Sequence, residues 1–174
     1  MSIELKAERE MEEKNGKILL VTSTISGEGK STLALNMAYA AAAHGKRVLF
    51  IDGDLRKQID RKKLTEKEGQ GLFGVVKGKV SLEEAVETDP RSGIRFLCGN
   101  LPVRNVPGVL NHPVFKKILE QARKENDLII LDAPPAEMFE DASLMAEYSD
   151  GILYVIRHDF VQKRRILDSL AGLE

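Results

Sequence analysis

The sequence has no tryptophan, three tyrosines, six phenylalanines and a single cysteine, Cys98, among its 174 residues. One cysteine leaves no disulfide partner within the chain, and a reducing cytoplasm is the expected setting. Neither sign of charge is in excess: 26 Lys and Arg stand against 27 Asp and Glu, a formal net charge of −1. That balance excludes a strongly basic nucleic-acid binder and an acidic disordered chain. There is no long hydrophobic run either. The most apolar stretch, residues 33–43, is alanine-rich and interrupted by Asn36, well short of the roughly 20 apolar residues of a membrane span. Residues 1–15 carry Glu4, Lys6, Glu8, Arg9, Glu10, Glu12, Glu13 and Lys14, which excludes a secretory signal. They are set apart as a charged N-terminal segment ahead of one domain over residues 16–174.

What is present is an alternation of strand and helix. Lys17–Thr22, Arg47–Asp52, Ile94–Cys98, Leu128–Leu131 and Gly151–Ile156 read as buried strands, being short apolar runs without a two-residue alternation. Lys30–His44, Gly71–Lys77, Ser81–Val86, Pro113–Lys124, Asp141–Tyr148 and Val161–Leu173 read as helices. Gly45 is placed to end the first of them, and Ser81 with Glu84 has the spacing of a capping box. The charge-dense stretch 55–70 reads as surface. Strands separated by helices predict a three-layer α/β/α fold on a mainly parallel sheet. Ligands of such sheets sit beyond the carboxyl ends of the strands.

Three of those ends carry chemistry. The first strand runs into Thr24-Ile-Ser26-Gly27-Glu28-Gly29-Lys30-Ser31-Thr32 and then a helix. Gly27 and Gly29 let backbone N–H groups approach phosphate oxygens, and the helix start adds its positive end. In such a loop Lys30 neutralises the β and γ phosphates of a nucleotide and the Ser31 hydroxyl sits on Mg²⁺. Thr24 stands where the strict pattern has glycine. The competing reading is a plain glycine turn. The second strand ends in Asp52-Gly53-Asp54, two carboxylates whose burial needs a cation or hydrogen bonds. One of them can accept a proton from an attacking hydroxyl; a hydrogen-bonded turn is the alternative. The fourth strand ends in Asp132-Ala133-Pro134-Pro135, an acid where phosphate-loop proteins keep a metal-side carboxylate and otherwise a loop aspartate.

SGEGKST (Ser26–Thr32), VLFIDGDLR (Val48–Arg56) and LIILDAPP (Leu128–Pro135) resemble the three nucleotide motifs of the bacterial tyrosine kinases of capsular and exopolysaccharide synthesis. The resemblance continues through Gly71–Gly78, Cys98–Leu110 and Asp141–Arg157, and covers residues 16–174. It implies a P-loop NTPase fold and an ATP- and Mg²⁺-dependent tyrosine autokinase. It further implies that Lys30 and the backbone of Gly27–Thr32 bind the ATP phosphates, with Ser26, Gly27, Glu28, Gly29, Lys30, Ser31 and Thr32 forming the cofactor site. Ser31, Asp54 and Asp132 would hold the metal, and Lys30, Asp52 and Asp54 would be catalytic, Asp52 facing the tyrosine hydroxyl. Arg157, just past the fifth strand, would line the nucleotide site. The expected partners are a membrane adaptor that activates the kinase and further copies of the chain in a homo-oligomer. The setting would be the cytoplasm, at the inner face of the membrane through that adaptor.

Departures from the family pattern keep two rivals in view. No tyrosine follows Tyr154, whereas such kinases end in a tyrosine-rich tail, and residues 1–15 lack the Glu-x-x-Arg-x-x-Arg spacing used in ring assembly. One rival is a dimerising ATPase of the partition or septum-positioning type; its extra loop lysine is Ile25 here. The other is a nucleotide-binding regulator without kinase activity. Tyr39 and Tyr154 are expected in the core and Tyr148 at the surface. Cys98 is expected to be a small buried hydrophobe. The basic cluster Arg56, Lys57, Arg61, Lys62 and Lys63 reads as a solvated face.

Overall fold

Strands β1 (Ile18–Ser23), β2 (Val48–Asp52), β3 (Glu87–Thr88), β4 (Arg95–Leu97), β5 (Leu128–Asp132) and β6 (Gly151–Val155) form one sheet in the order β3-β4-β2-β5-β1-β6. The structure, a computed structural model, describes residues 6, 9–11, 16–55, 71–99 and 105–173. Every pairing is parallel except that of β3 with β4. The helices are α1 (Lys30–Ala43), α2 (Leu72–Val76), α3 (Leu82–Ala85), α4 (Val106–Leu110), α5 (Pro113–Glu125), α6 (Asp141–Ala146) and α7 (Lys163–Ala171).

Alternate residues of each strand feed two cores, which makes the fold three-layered. Leu19, Val21, Val48, Phe50, Leu128 and Ile130 pack against Ala34, Met37, Ala38 and Ala41 of α1. Ile18, Leu20, Leu49, Ile51, Ile129 and Leu131 face the other way, onto α2 to α6. This two-sided burial explains the unbroken apolar runs of the central strands. Phe115 of α5 is fully buried in the second core and meets the Tyr148 ring edge-on, centroids 5.4 Å apart.

The predicted elements appear with small shifts at their ends. Gly45 follows α1 with φ 82°. Ser81 and Glu84 form the capping box of α3, the Ser81 side chain accepting from Glu84 N and the Glu84 carboxylate from Ser81 N. Cys98 is buried. Two elements were not foreseen: the two-residue β3, which has no apolar run to announce it, and α4, whose start is held by Asn105 Oδ1 accepting from Gly108 N. Most of the charged N-terminal segment, the stretch 56–70 with its basic cluster, and residues 100–104 of the Cys98–Leu110 motif lie outside the described residues.

The tyrosine expectations need correction in all three cases. Tyr39 is 42% exposed, on the side of α1 turned away from the sheet. Tyr148 is half-buried against Phe115, its hydroxyl donating to Leu110 O at 3.3 Å. Tyr154 is partly covered rather than core, because among the described strands β6 is at the sheet edge, paired only to β1.

The entry to β1 is held by one carboxylate. Asp150 Oδ2 accepts from Lys17 N at 2.7 Å and Ile18 N at 2.8 Å, and Arg123 closes on both Asp150 oxygens at 2.7 and 2.8 Å. Burial pushes the Asp150 carboxyl up, but the guanidinium and the two N–H groups hold it below the ordinary value of 3.8. The folded chain therefore binds this proton less tightly than the unfolded chain. The resulting stability is present above about pH 4 and is lost as the pH falls through the lowered value. Asp150→Ala is expected to cost about 2 kcal/mol at pH 7, a fall in Tm of roughly 4–8 °C. Thermal unfolding at pH 7 and pH 3 checks this: the deficit should shrink at the lower pH, and an equal deficit at both would refute the charge account.

Candidate functional site

Adjacent strands bring the three acidic and phosphate-loop motifs together. In the sheet, β5 lies between β1 and β2, so Asp132 is in register with Asp52 on one side and Val21 on the other. Asp52, Asp54 and Asp132 are all at least 95% buried, and so is Lys30. The two acidic strand ends touch through backbone, Gly53 N donating to Asp132 O at 2.9 Å. A Cβ at position 53 would lie 2.5 Å from Met145 Cε and 3.0 Å from the Asp132 carbonyl oxygen, which is why glycine separates the two aspartates.

The loop after β1 is shaped by two glycines with φ 92°, Gly27 and Gly29, a conformation that other residues rarely adopt. Gly29 is the N-cap of α1; among the described residues no side chain caps this helix, and no acidic residue lies in its first turn. Its leading N–H groups are thus kept for an anion. Space is left for one: a Cβ on Gly29 would meet nothing within 4 Å among the described residues. Glu28 is 94% buried, and its carboxylate accepts from Ile25 N at 2.8 Å and Arg157 N at 3.3 Å. The acidic side chain therefore closes the loop on itself.

Lys30 Nζ lies 3.1 Å from Ser31 Oγ, 3.5 Å from Asp132 Oδ1 and 3.9 Å from Asp54 Oδ2. Asp52 Oδ1 accepts from Asp54 N at 3.2 Å. Burial raises the Asp132 carboxyl above the ordinary range, although Lys30 and Ser31 act to lower it. The charge of Asp132 is thus incompletely compensated by the protein. An under-compensated carboxylate beside a second carboxylate and a hydroxyl is a hard-oxygen set of the kind that suits Mg²⁺ together with phosphate oxygens. The residues present fit Mg²⁺ and a nucleotide phosphate.

Arg157 also reaches this loop. Its guanidinium donates to Gly27 O at 3.3 Å and lies over the Phe160 ring at 4.7 Å. Phe160 was overlooked in the sequence, where it is an isolated aromatic after the last strand. Asp159, with φ 53°, turns the chain so that Phe160 comes back onto Gly27, 3.4 Å from a Cβ there. The only hint was the Asp-Phe pair at a strand exit.

A family model described as AAA domain matches residues 16–162. The tyrosine-protein kinase CpsD of Streptococcus agalactiae serotype III (strain NEM316) is 30% identical over 159 residues, 87% of this chain and 68% of that protein. The chain belongs to the bacterial tyrosine-kinase family. The tyrosine-protein kinase YwqD of Bacillus subtilis (strain 168) is 32% identical over 149 residues, 86% of this chain. The chain spans 63% of that relative's length. Among solved structures, the kinase domain of the Escherichia coli tyrosine kinase ETK superposes with a TM-score of 0.91 at 25% identity. That match covers 97% of this chain and 66% of the other. For this bacterial tyrosine-kinase chain, the P-loop NTPase fold expected from the motifs is the one present. No described helix is long and apolar enough to cross a membrane.

Proposed function

We propose that the chain is the Mg-ATP-binding phosphotransfer domain of a protein-tyrosine kinase serving exopolysaccharide or capsule synthesis. The observation that carries this reading is the convergence of Ser31, Asp54 and Asp132, all within 4 Å of the Lys30 ammonium, at the open start of α1. ATP phosphates would lie on the N–H groups of Gly27–Thr32, with Ser26 and Glu28 shaping the loop and Arg157 at its side. Ser31, Asp54 and Asp132 would hold Mg²⁺, which when bound supplies charge neutralisation between the phosphates. Lys30 adds a positive charge where negative charge develops during transfer. Asp52 is the base that receives the tyrosine proton. Transfer then rests on positioning and electrostatics, as phosphoryl transfer does in general.

A membrane adaptor would bring this domain to the inner face of the cell membrane and activate it, with self-association between copies. The relatives named as tyrosine-protein kinases favour a kinase over a positioning ATPase or a silent regulator.

The acceptor hydroxyl is best supplied in trans. Tyr148 and Tyr154 have their hydroxyls in hydrogen bonds, which leaves Tyr39 as the exposed tyrosine of the three. The test is incubation with γ-labelled ATP, Mg²⁺ and a tyrosine-rich peptide, with the adaptor's cytoplasmic segment added. Labelled phosphotyrosine is expected, and free phosphate without labelled tyrosine under every condition would sink the kinase reading. Asp52→Asn keeps an oxygen for Asp54 N but loses the base. It should lower kcat about a hundredfold or more with little change in the KM for Mg-ATP; an unchanged kcat would remove Asp52 from this role.

A further inference from the structure

Thr24, the residue standing where the strict phosphate-loop pattern has glycine, is wholly buried. A buried hydroxyl without a partner is costly, so its bonding is informative. The Thr24 hydroxyl lies 3.0 Å from the Tyr154 hydroxyl, which lies 2.8 Å from Ser169 Oγ. The phenol has one proton, so it donates to one neighbour and accepts from the other. Three hydroxyls from three elements form an unbroken chain: the loop entry after β1, the edge strand β6, and the C-terminal helix α7.

Helix α7 is otherwise only lightly attached. Ser169 is its one buried residue, and Leu167 is 53% exposed. Leu173, just past it, packs against the core, and the other named ties of α7 are polar. Arg165 Nε donates to Glu137 Oε1 at 2.7 Å, and Gly172 O, just past the helix, accepts from Ser143 Oγ at 2.7 Å. Glu137 leads back to the same place, its N–H donating to Thr24 O at 3.3 Å. Thr24 is thus gripped twice, through its carbonyl by the segment following Asp132 and through its hydroxyl by Tyr154.

We propose that Tyr154 is a positioning residue for the phosphate loop, its hydroxyl linking Thr24 to Ser169 so that α7 fixes the loop entry before a nucleotide arrives. Tyr154 does not touch the reacting atoms. It acts through Thr24 on Ile25, whose N–H closes the loop onto Glu28. The threonine at position 24 follows from the same reasoning, since glycine there would leave the phenol with one partner fewer. The inference rests on the nucleotide reading of the loop only for its effect on binding; the tether itself concerns the free protein.

The test therefore has two readouts. The first is amide hydrogen exchange of residues 25–29 in the nucleotide-free protein, compared with β1 in the same sample. Tyr154→Phe, which removes one oxygen, should speed loop exchange roughly three- to tenfold relative to β1, the order for one lost hydrogen bond. Thr24→Val should do the same, the double variant Tyr154→Phe/Thr24→Val should add little more, and Thr24→Ser should restore the protection. Ser169→Ala should also loosen the loop, although Ser169 is not part of it. Exchange that rises equally in the loop and in β1, or an unchanged loop in Ser169→Ala, would overturn the tether.

The second readout is the affinity for Mg-ATP by calorimetry. Tyr154→Phe should weaken it roughly three- to tenfold, and in the kinase assay should raise KM while leaving kcat nearly unchanged. A wild-type protein that binds no Mg-ATP would refute the nucleotide reading and leave the exchange data to decide the tether. A wild-type protein that binds, with Tyr154→Phe binding equally well, would refute the positioning role.

Discussion

Lys30→Met is expected to reduce transfer of label from ATP to tyrosine by about a hundred- to a thousandfold, the order for one lost preorganised charge at a developing anion. The loss should fall mainly on kcat, because the backbone of the loop and the start of α1 still receive the phosphates. A second signature distinguishes this site from an ordinary surface lysine. Lys30 is the described cation beside Asp132, and it lowers a carboxyl that burial raises. Without it the Asp132 carboxyl rises further. A carboxyl raised in the folded state gives up its proton at a lower pH when unfolded, so stability falls as the pH climbs between the two values. The Tm of Lys30→Met should therefore decline more steeply than that of the wild type as the pH rises above 3.8, the ordinary carboxyl value. Labelling at the wild-type rate, or parallel Tm profiles, would exclude the role given to Lys30.

Asp132→Asn is expected to separate stability from ligand binding. The substitution removes a charge whose burial the protein compensates incompletely, so the nucleotide-free variant should melt higher than the wild type at pH 7. It should also lose the decline in stability that begins above 3.8, the ordinary carboxyl value. Affinity for Mg-ATP should meanwhile fall tenfold or more, the scale associated with losing groups that hold or orient a metal's ligands. Affinity for ADP without metal should change much less. Calorimetric titration of both ligands, beside thermal unfolding of the free protein, gives the comparison. Equal losses for the two nucleotides would deny Asp132 a part in holding metal. A lower Tm would mean that Lys30 and Ser31 repay the burial of the carboxylate after all. A buried charge kept at the expense of the free fold is what a binding site, rather than a stability element, would retain.

Much of this arrangement was legible in the sequence because it lies in backbone pattern. Gly27, Gly29 and Lys30 before an alanine-rich run specify a loop and a helix start whatever surrounds them. Strands ending in Asp52 and Asp132 point to the carboxyl edge of the sheet. What the chain order alone does not give is which strands are neighbours. The placement of β5 between β1 and β2, which brings Asp132 to Lys30, is a tertiary result. The misjudged residues share a cause. Tyr39 and Tyr154 lie in apolar runs, but one is on the outer side of a helix whose alanines face the sheet, and the other is on an edge strand. Tyr148 has polar neighbours in Ser149 and Asp150, which point to the surface, while Phe115, 33 positions away, covers its ring. Glu28 reads as one more loop residue until its carboxylate is seen between two N–H groups. The Thr24–Tyr154–Ser169 chain spans 146 positions and leaves no local trace, apart from a missing glycine.

The contact of Gly53 with Asp132 has a consequence for how the site responds in time. Because a backbone hydrogen bond joins the two acidic strand ends and no side chain fits between them, the carboxylates of Asp52, Asp54 and Asp132 are carried on one stiff frame. Lys30 is packed against the same frame, its ammonium 3.1 Å from Ser31 Oγ, 3.5 Å from Asp132 Oδ1 and 3.9 Å from Asp54 Oδ2, so the charged groups are already assembled before a ligand arrives. Both sides of the site are thus set in the fold, and little reorganisation is left for each turnover.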